Sequence, residues 1–526
     1  MTETVYQSIS PSDFFYRNRE IAGFSNPSRA IYAGFRELLE NALDACEVQR
    51  VPPDIFLRLS EETVSDGGTS TYTMRVEDNG TGLPSDQIPH AFCQVFYGSK
   101  YTLKQARGTF GLGGTITILY GQITTHKPVS ITSSTGSDIH EYTMMIDIEH
   151  NEPIILSHKV IENDKNWRGT IVELQLEGDY SRIKSRLLDY LKQTAMVSPY
   201  ADITFIDPAG RLFRFKRGTE KMPPLPESVK PHPHGIDVEN FRRLVAITKT
   251  KTMYDFMIEH FQGVGTTTAE KFLNAAGISL KAKPRTLRPG DIVKLVRAAR
   301  EYGDFKRPDA SCLSPIGEDL LENGIRKELG LTDQDFLKVV TRKPSTYLGF
   351  PFIVEAAIAT GKTIQKQFKG ITIIRFANRI PLLFDESSGV VWKTINKIIH
   401  WDTYKVSSET PMVIVVHVCS TKIPYKTVGK EYMADQPEVE REVTNTVREA
   451  ARAMRLFISR RIRIARDKRR VNVFAKYLPK IAEIATKLSD REDPPNIKPL
   501  LATVSKDIPE VEKELEELTT IDGGNN

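Results

Sequence analysis

Residues 28–46 read SRAIYAGFRELLENALDAC. Ile31, Phe35, Leu38, Leu39, Ala42 and Cys46 recur at helical spacing, so one stripe of a helix faces a core, with Ser28 as its candidate N-cap. Glu37 and Asn41 are four apart and share a second face. A carboxylate and a carboxamide stacked this way can serve a metal–nucleotide site: the glutamate polarises a water, and the amide oxygen ligates a hard cation such as Mg2+. A solvated polar face would carry the same pair, so the neighbouring sequence has to decide.

Two further constellations follow within about 90 residues of the helix start. Tyr72, Met74 and Val76 alternate as a strand does and run into Glu77-Asp78-Asn79-Gly80-Thr81-Gly82. This puts one carboxylate, Asp78, at a strand mouth, with glycines that let the backbone approach a flat ligand. A buried carboxylate only accepts hydrogen bonds, which suits an exocyclic amine such as N6 of adenine. A hairpin turn would use the same residues. Residues 98–115 then read GSKYTLKQARGTFGLGGT. Gly108, Gly111, Gly113 and Gly114 offer unobstructed amides to phosphates, and Ser99 and Lys100 add a hydroxyl and a charge. The apolar run from Thr115 to Tyr120 reads as a helix whose N-terminus points at those phosphates.

In this order the three elements resemble the ATPase superfamily shared by DNA gyrase, the heat-shock chaperone, sensor histidine kinases and mismatch-repair ATPases. Arg168-Gly169-Thr170 before IVELQL supplies that pattern's last element. The resemblance implies a helix-covered mixed sheet with ATP under a glycine lid. Glu37 would be the general base, Asn41 the Mg2+ ligand and Asp78 the adenine-binding carboxylate. Gly108, Thr109, Phe110, Gly111, Leu112, Gly113, Gly114 and Thr115, with Ser99 and Lys100, would form the lid. Histidine kinases lack a hydrolytic glutamate at this position, so Glu37 favours a hydrolase.

Composition divides the rest of the chain. Prolines 223, 224, 226, 231 and 233 interrupt any regular element. Residues 236–303 read as short helices, among them FQGVGTTTAEKFLNAAGI (261–278), whose Gly263-Val-Gly265 can present amides to a phosphate or simply turn between helices. Strand patterns return from about 307 to 425, and from about 436 the chain reads as helix. AAIATGKT (356–363) fits a relaxed phosphate-loop pattern, but it has one glycine and is followed by TIQKQFKGITIIRF, which reads as strand, so a hairpin turn at Gly361 is expected.

With phrases such as RKPSTYLGFPFIVEAAIA and STKIPYK, the chain over roughly residues 5–470 resembles the ATPase (B) subunits of type IIB DNA topoisomerases, the topoisomerase VI family. The resemblance implies an α+β multidomain chain. A gyrase-like ATPase α/β sandwich with an N-terminal strap would span 1–227, and a helix-two-turn-helix insert 228–306. An α/β transducer with a long helix would span 307–470, and a helical tail 471–526. A lysine of CSTKIPYKTVGKEY (419–432) would reach the γ-phosphate: Lys430 is preferred, because it follows Gly429, and Lys426 is the alternative to it. Trp401-Asp402-Thr403-Tyr404 resembles a Trp-Lys-x-Tyr motif credited with DNA contact, with Asp402 in place of the lysine.

Bulk properties fit. The chain has 526 residues, 40% hydrophobic and 26% charged, with formal charge +5. No stretch reaches the roughly 18 uncharged apolar residues of a membrane span, no signal pattern opens the chain, and a cytoplasmic location is expected. Cys46, Cys93, Cys312 and Cys419 are scattered, as in reduced proteins. RLFISRRIRIARDKRR (455–470) is strongly basic and fits a protein partner or double-stranded DNA.

The partners implied by the resemblance are duplex DNA, the cleaving topoisomerase VI chain of an A2B2 heterotetramer, and a second copy of this chain on ATP binding, with the segment before Ser28 exchanged. ATP-driven closure would trap a transported duplex and drive double-strand passage. Two other readings use the same site: an ATP-switched adaptor of the mismatch-repair type and a chaperone-like clamp.

Overall fold

A computed structural model describes residues 8–64, 69–98, 103–108, 112–384, 387–407, 409–425, 432–489, 493, 495–497, 499 and 500. Two compact units divide the chain, residues 1–399 with 409–450, and residues 400–408 with 451–526. Everything that bears on the candidate site lies in the first.

The first layer runs α1 (Pro11–Arg17), α2 (Pro27–Gln49), β1 (Asp54–Val64), β2 (Ser70–Asp78), α3 (Ile88–Cys93), α4 (Gly113–Thr125), β3 (Val129–Thr135), β4 (Ile139–Asp147), β5 (Glu152–Ile161), β6 (Arg168–Gly178), α5 (Tyr180–Val197), β7 (Asp202–Ile206) and β8 (Leu212–Phe215). Its eight strands pair in the order β5-β4-β3-β6-β2-β1-β7-β8. Neighbours are antiparallel except β1 and β7, which run parallel and make the sheet mixed. The apolar stripe of α2 is fully used: Ile31, Phe35, Leu39 and Cys46 are buried in it, and Ile31, Phe35 and Leu39 join the core that Met74, Ile131, Leu176 and Phe205 supply from the sheet. The expected N-cap moves by two residues. Asn26, not Ser28, accepts the Arg29 amide at 2.9 Å. Pro27 then occupies the first turn, where its fixed φ and missing N–H cost nothing.

A helical segment follows: α6 (Val238–Ile247), α7 (Met253–His260), α8 (Thr266–Ala275) and α9 (Pro289–Glu301). It has its own core, built on Phe241, Phe256, Phe261, Phe272 and Leu295. Gly265 precedes α8 without a capping side chain, and Val264 beside it is buried.

The second sheet comprises α10 (Glu318–Leu329), β9 (Phe336–Thr341), β10 (Ser345–Tyr347), β11 (Phe350–Thr360), α11 (Lys362–Gln367), β12 (Ile371–Ala377), β13 (Ile380–Pro381), α12 (Gly389–Lys393) and β14 (Met412–Ser420). Its order is β10-β11-β14-β12-β13, with β9 also on β11, and β12 runs parallel to β14. β11 and β14 are buried almost throughout, as their unbroken apolar runs require. The hairpin expected at Gly361 is absent. A short helix, α11, follows that glycine, and β14 separates β11 from β12. Asp335 explains the local fold: its carboxylate accepts the Thr363 amide at 3.1 Å and the Thr363 hydroxyl at 2.5 Å, capping α11. The phosphate-loop look-alike is therefore closed by the Asp335 carboxylate from just before β9; burial works against its charge, but these hydrogen bonds outweigh it and hold the pKa down at about 2.

The long helix α13 (Pro437–Leu488) buries Val439, Val443, Val447, Ala450 and Met454. Further along, Leu456, Ile462, Tyr477 and Ile484 are exposed. The motif Trp401–Tyr404 forms one short turn with its two rings 6.1 Å apart. Among the described residues, no helix is long and apolar enough to cross a membrane.

Candidate nucleotide site

The site is built on the polar face of α2. Glu37 and Asn41 lie on it as their spacing requires, Glu37 half-buried and Asn41 exposed. The start of α4 stands directly against them. A Cβ on Gly113 would overlap the Glu37 carboxylate, and one on Gly114 would come within 3.4 Å of the Asn41 side-chain nitrogen. Leu112 precedes α4 and gives no side-chain cap, so among the described residues no N-cap side chain covers the first-turn amides of that helix. A carboxylate, a carboxamide and an uncapped helix N-terminus thus meet in one place, which is chemistry for an anion and its activating group.

Glu37 has a partner that the sequence did not announce. The Arg36 guanidinium donates to its Oε1 at 2.5 Å and stands 3.8 Å from Glu40. Arg36 and Glu40 are both buried. Burial works against the charge on Arg36, but Glu37 and Glu40 outweigh it and fix the guanidinium as a cation. The adjacency Arg36-Glu37 was legible. What it does was not, because a side chain beside another in sequence points elsewhere on a helix unless both ends bend together.

Asp78 ends β2, and the turn after it packs against Ala45 and Cys46 of α2. The buried side of β2 runs Ser70, Tyr72, Met74, Val76, Asp78, so the strand's two-residue period carries the carboxylate inward. It accepts the Gly80 amide at 2.8 Å. Opposite it in register is Thr170 of β6, whose backbone also favours the ionised form and whose hydroxyl lies 3.0 Å from Ser133 Oγ. Burial dominates over these bonds and pushes the Asp78 carboxyl up to about 7.

The two glycines after Asp78 serve packing rather than the open approach expected of them. A Cβ on Gly80 would lie 2.7 Å from the Ala45 Cβ, and Gly82, at φ +64°, would strike the Ser134 carbonyl. Asn79 ties the turn to α2, accepting the Cys46 thiol at 3.2 Å and the Asp54 amide at 2.9 Å.

Of the residues expected in the lid, Gly108 and Leu112 to Thr115 are described, with Thr115 buried in α4. Ser99, Lys100, Thr109, Phe110 and Gly111 lie outside the described residues, as do Lys426 and Lys430. CSTKIPYKTVGKEY holds a third lysine, Lys422, which is described, and its ammonium lies 4.9 Å from the Phe350 ring centre. Tyr425, just before Lys426, has a buried hydroxyl without a hydrogen-bond partner among the described residues. Burial raises its pKa, and Glu40 and Arg36 are the charges it feels.

Sequence reasoning also missed Arg107. It donates to Asp44 at 2.7 Å and to Glu47 at 2.5 Å, one and two turns beyond Asn41 on α2. Tyr200 and Arg379 share the same Glu47 carboxylate, at 2.5 and 3.0 Å. Two carboxylates continuing the polar stripe of α2 were the available signal. Their partners are 60 to 332 positions away and carried none.

Known proteins resemble the chain in both halves. Residues 27–148 match the family described as histidine kinase-, DNA gyrase B-, and HSP90-like ATPase. Residues 308–470 match the one described as topoisomerase VI B subunit, transducer. The B subunit of type 2 DNA topoisomerase 6 from Pyrobaculum aerophilum is 43% identical over 479 residues, 91% of this chain and 89% of that protein. Its counterpart from Sulfurisphaera tokodaii is 40% identical over 486 residues, 92% and 90% of the two chains. Among solved structures, the 43K ATPase domain of Thermus thermophilus gyrase B in complex with an aminocoumarin is similar at a TM-score of 0.40 and 14% identity. That match covers 91% of this chain and 98% of the other, and a likeness so distant carries no weight for the chemistry.

Proposed function

The chain belongs to the family of type 2 DNA topoisomerase 6 B subunits, and from that premise we propose that it is the ATP-driven gate of a type IIB topoisomerase. The observation that carries the reading is the meeting of Glu37 and Asn41 with the uncapped start of α4.

Each residue then has a task. The Asp78 carboxylate accepts from the adenine amine. The first amides of α4, with Gly108 to Thr115 and with Ser99 and Lys100, cradle the phosphates. Glu37 orients and deprotonates the attacking water. A divalent cation, Mg2+, bound with the nucleotide would offset phosphate charge, and the Asn41 carboxamide oxygen is a hard donor suited to it. Lys430, or Lys426, reaches the γ-phosphate, a contact that exists only before hydrolysis and so can report it.

ATP binding in this scheme draws two copies of the chain together, with the segment before Ser28 exchanged between them. Closure traps a transported duplex and moves the two cleaving partner chains, which make the break, in an A2B2 complex. The separate helical core of α6 to α9 favours this over a mismatch-repair-type clamp, in which the ATPase would run straight into the transducer. The test is supercoil relaxation and ATP turnover with and without a co-purified partner that bears a cleavage tyrosine. Relaxation that requires both the partner and ATP supports the gate. ATP turnover indifferent to DNA and partner, with no relaxation, sinks it in favour of the clamp.

A further inference from the structure

Residues 103–108, the described start of the glycine stretch, are fastened both to α2, through Arg107, and to the second sheet and its flanking segment. Gln105 exchanges two hydrogen bonds with the Ser314 backbone, at 2.9 and 2.8 Å. Asn378 donates to the Ala106 carbonyl at 3.1 Å. Arg107 and Arg379 then divide one carboxylate: Arg107 takes Glu47 Oε1 at 2.5 Å and Arg379 takes Oε2 at 3.0 Å. All three side chains are buried. Burial opposes the charge on Glu47, yet the two guanidinium groups outweigh it and hold the carboxyl below its usual range.

The second sheet fixes Arg379 in turn. Asn378 and Arg379 form the two-residue turn between β12 and β13, at φ +48° and +66°. Left-handed geometry at both positions is typical of a tight hairpin; asparagine accepts it, but it is strained for Arg379, so the surroundings must enforce it there. They do. The Arg379 amide donates to His417 Nε2 at 3.1 Å, and His417 Nδ1 donates to Glu355 at 2.8 Å, in the middle of β14 and β11. The Arg379 guanidinium also donates to the Ser314 carbonyl at 2.9 Å.

We propose that Arg379 is a positioning residue for ATP turnover: through Glu47 it sets Arg107, and with it the seat of the glycine loop, so that the second sheet and the nucleotide lid are held to one another. A carboxylate with one oxygen on each arginine cannot follow one of them without loading the other, and in a buried site neither can be replaced by water. The inference rests on the ATP reading of the site.

The test uses the full chain in complex with its cleaving partner, and a fluorescent, non-hydrolysable ATP analogue. Arg379→Gln should speed analogue release and raise KM for ATP, on the order of 5- to 150-fold as for other coupled sites, with kcat changed far less. Arg379→Lys, which keeps the charge, should recover part of the loss. Because both arginines act through Glu47, the double variant Arg107→Gln/Arg379→Gln should release no faster than the worse single variant. Asn378→Gly keeps the turn and removes no charge; it deletes the Ala106 contact together with the two hydrogen bonds to the Ser420 backbone, so it reads the whole Asn378 tie between loop and sheet even if Arg379→Gln folds poorly. It should accelerate release in the same direction. Wild-type release rates in both Arg379→Gln and Asn378→Gly, or strictly additive effects in the double variant, overturn the proposal. Failure of the unaltered chain to bind the analogue would overturn the ATP reading itself.

Discussion

Gly113 stands so close to Glu37 that a methyl group on its Cα would occupy the space of the carboxylate. The start of α4 and the middle of α2 therefore meet on a glycine and an acid, and neither can grow. Gly113→Ala should displace the carboxylate or the helix start. The expected cost is about 1–3 kcal/mol of stability, as for other overpacked sites, together with loss of nearly all ATP turnover. Thermal unfolding and steady-state ATPase of the same preparation check it. Normal turnover would mean that the carboxylate works from another rotamer.

Glu37 itself separates binding from chemistry. If it deprotonates the water, Glu37→Ala should bind an ATP analogue within a few-fold of the unaltered chain while turnover drops by about 10²- to 10⁴-fold, the usual worth of a general base. Arg36 complicates the choice of variant, because it donates to Glu37 at 2.5 Å. Removing the acid leaves the guanidinium with Glu40, which stands 3.8 Å away and can take up the charge. Equilibrium binding and single-turnover hydrolysis distinguish the two effects, and wild-type hydrolysis would remove Glu37 from the base role.

The raised carboxyl of Asp78 gives a pH signature of known sign. Its pKa is about 7 in the folded chain, against an ordinary value near 3.8. Between these values the folded chain holds a proton that the unfolded chain has released, so stability falls as pH rises from about 4 to about 7 and then levels off. If Asp78 takes the adenine amine, nucleotide binding should follow the opposite trend, because only the ionised carboxylate accepts from that amine without donating. Affinity should rise between about pH 6 and 8, the window around a carboxyl that titrates near 7. Asp78→Asn should flatten both profiles, stabilise the nucleotide-free chain by on the order of 1–3 kcal/mol and weaken adenine nucleotides. A wild-type stability profile that is flat across this window, or an Asn variant that binds equally well, would contradict the assignment.

How far the sequence could be read follows from the range of the interactions involved. The core stripe of α2 and the inward turn of Asp78 come from periods of 3.6 and 2, which act within a few residues, and both stand as the spacing requires. The N-cap lies two residues before the expected Ser28, because Asn26 and Ser28 have equal claim until Pro27 fixes the first turn. The glycines after Asp78 were legible as glycines but not as to whom they make room for, since Ala45 and Ser134 come from other elements. Least legible was the Glu47 cluster. Its arginines are chosen by the packing of segments 60 and 332 positions from Glu47, and each of them alone reads as an ordinary surface charge.

The look-alike phosphate loop at Ala356–Thr363 makes a last prediction, and the structure sharpens the grounds for it. The helix denied to this motif on sequence is present as the six-residue α11, so strand, glycine and helix follow in order, with a single glycine between them. What excludes phosphate is Asp335, whose carboxylate already accepts from Thr363 N and Oγ1 and from Thr332 N and Oγ1. A phosphate would have to displace that anion from the helix start. Lys362→Ala should then leave ATP affinity and turnover unchanged within about twofold, as a surface change does. Asp335→Asn, by contrast, should cost about 1–3 kcal/mol through charge-assisted hydrogen bonds weakened at both ends of one cap. Isothermal binding and chemical denaturation of the two variants check this. A marked loss of ATP affinity in Lys362→Ala would move the nucleotide to the second sheet and away from Glu37.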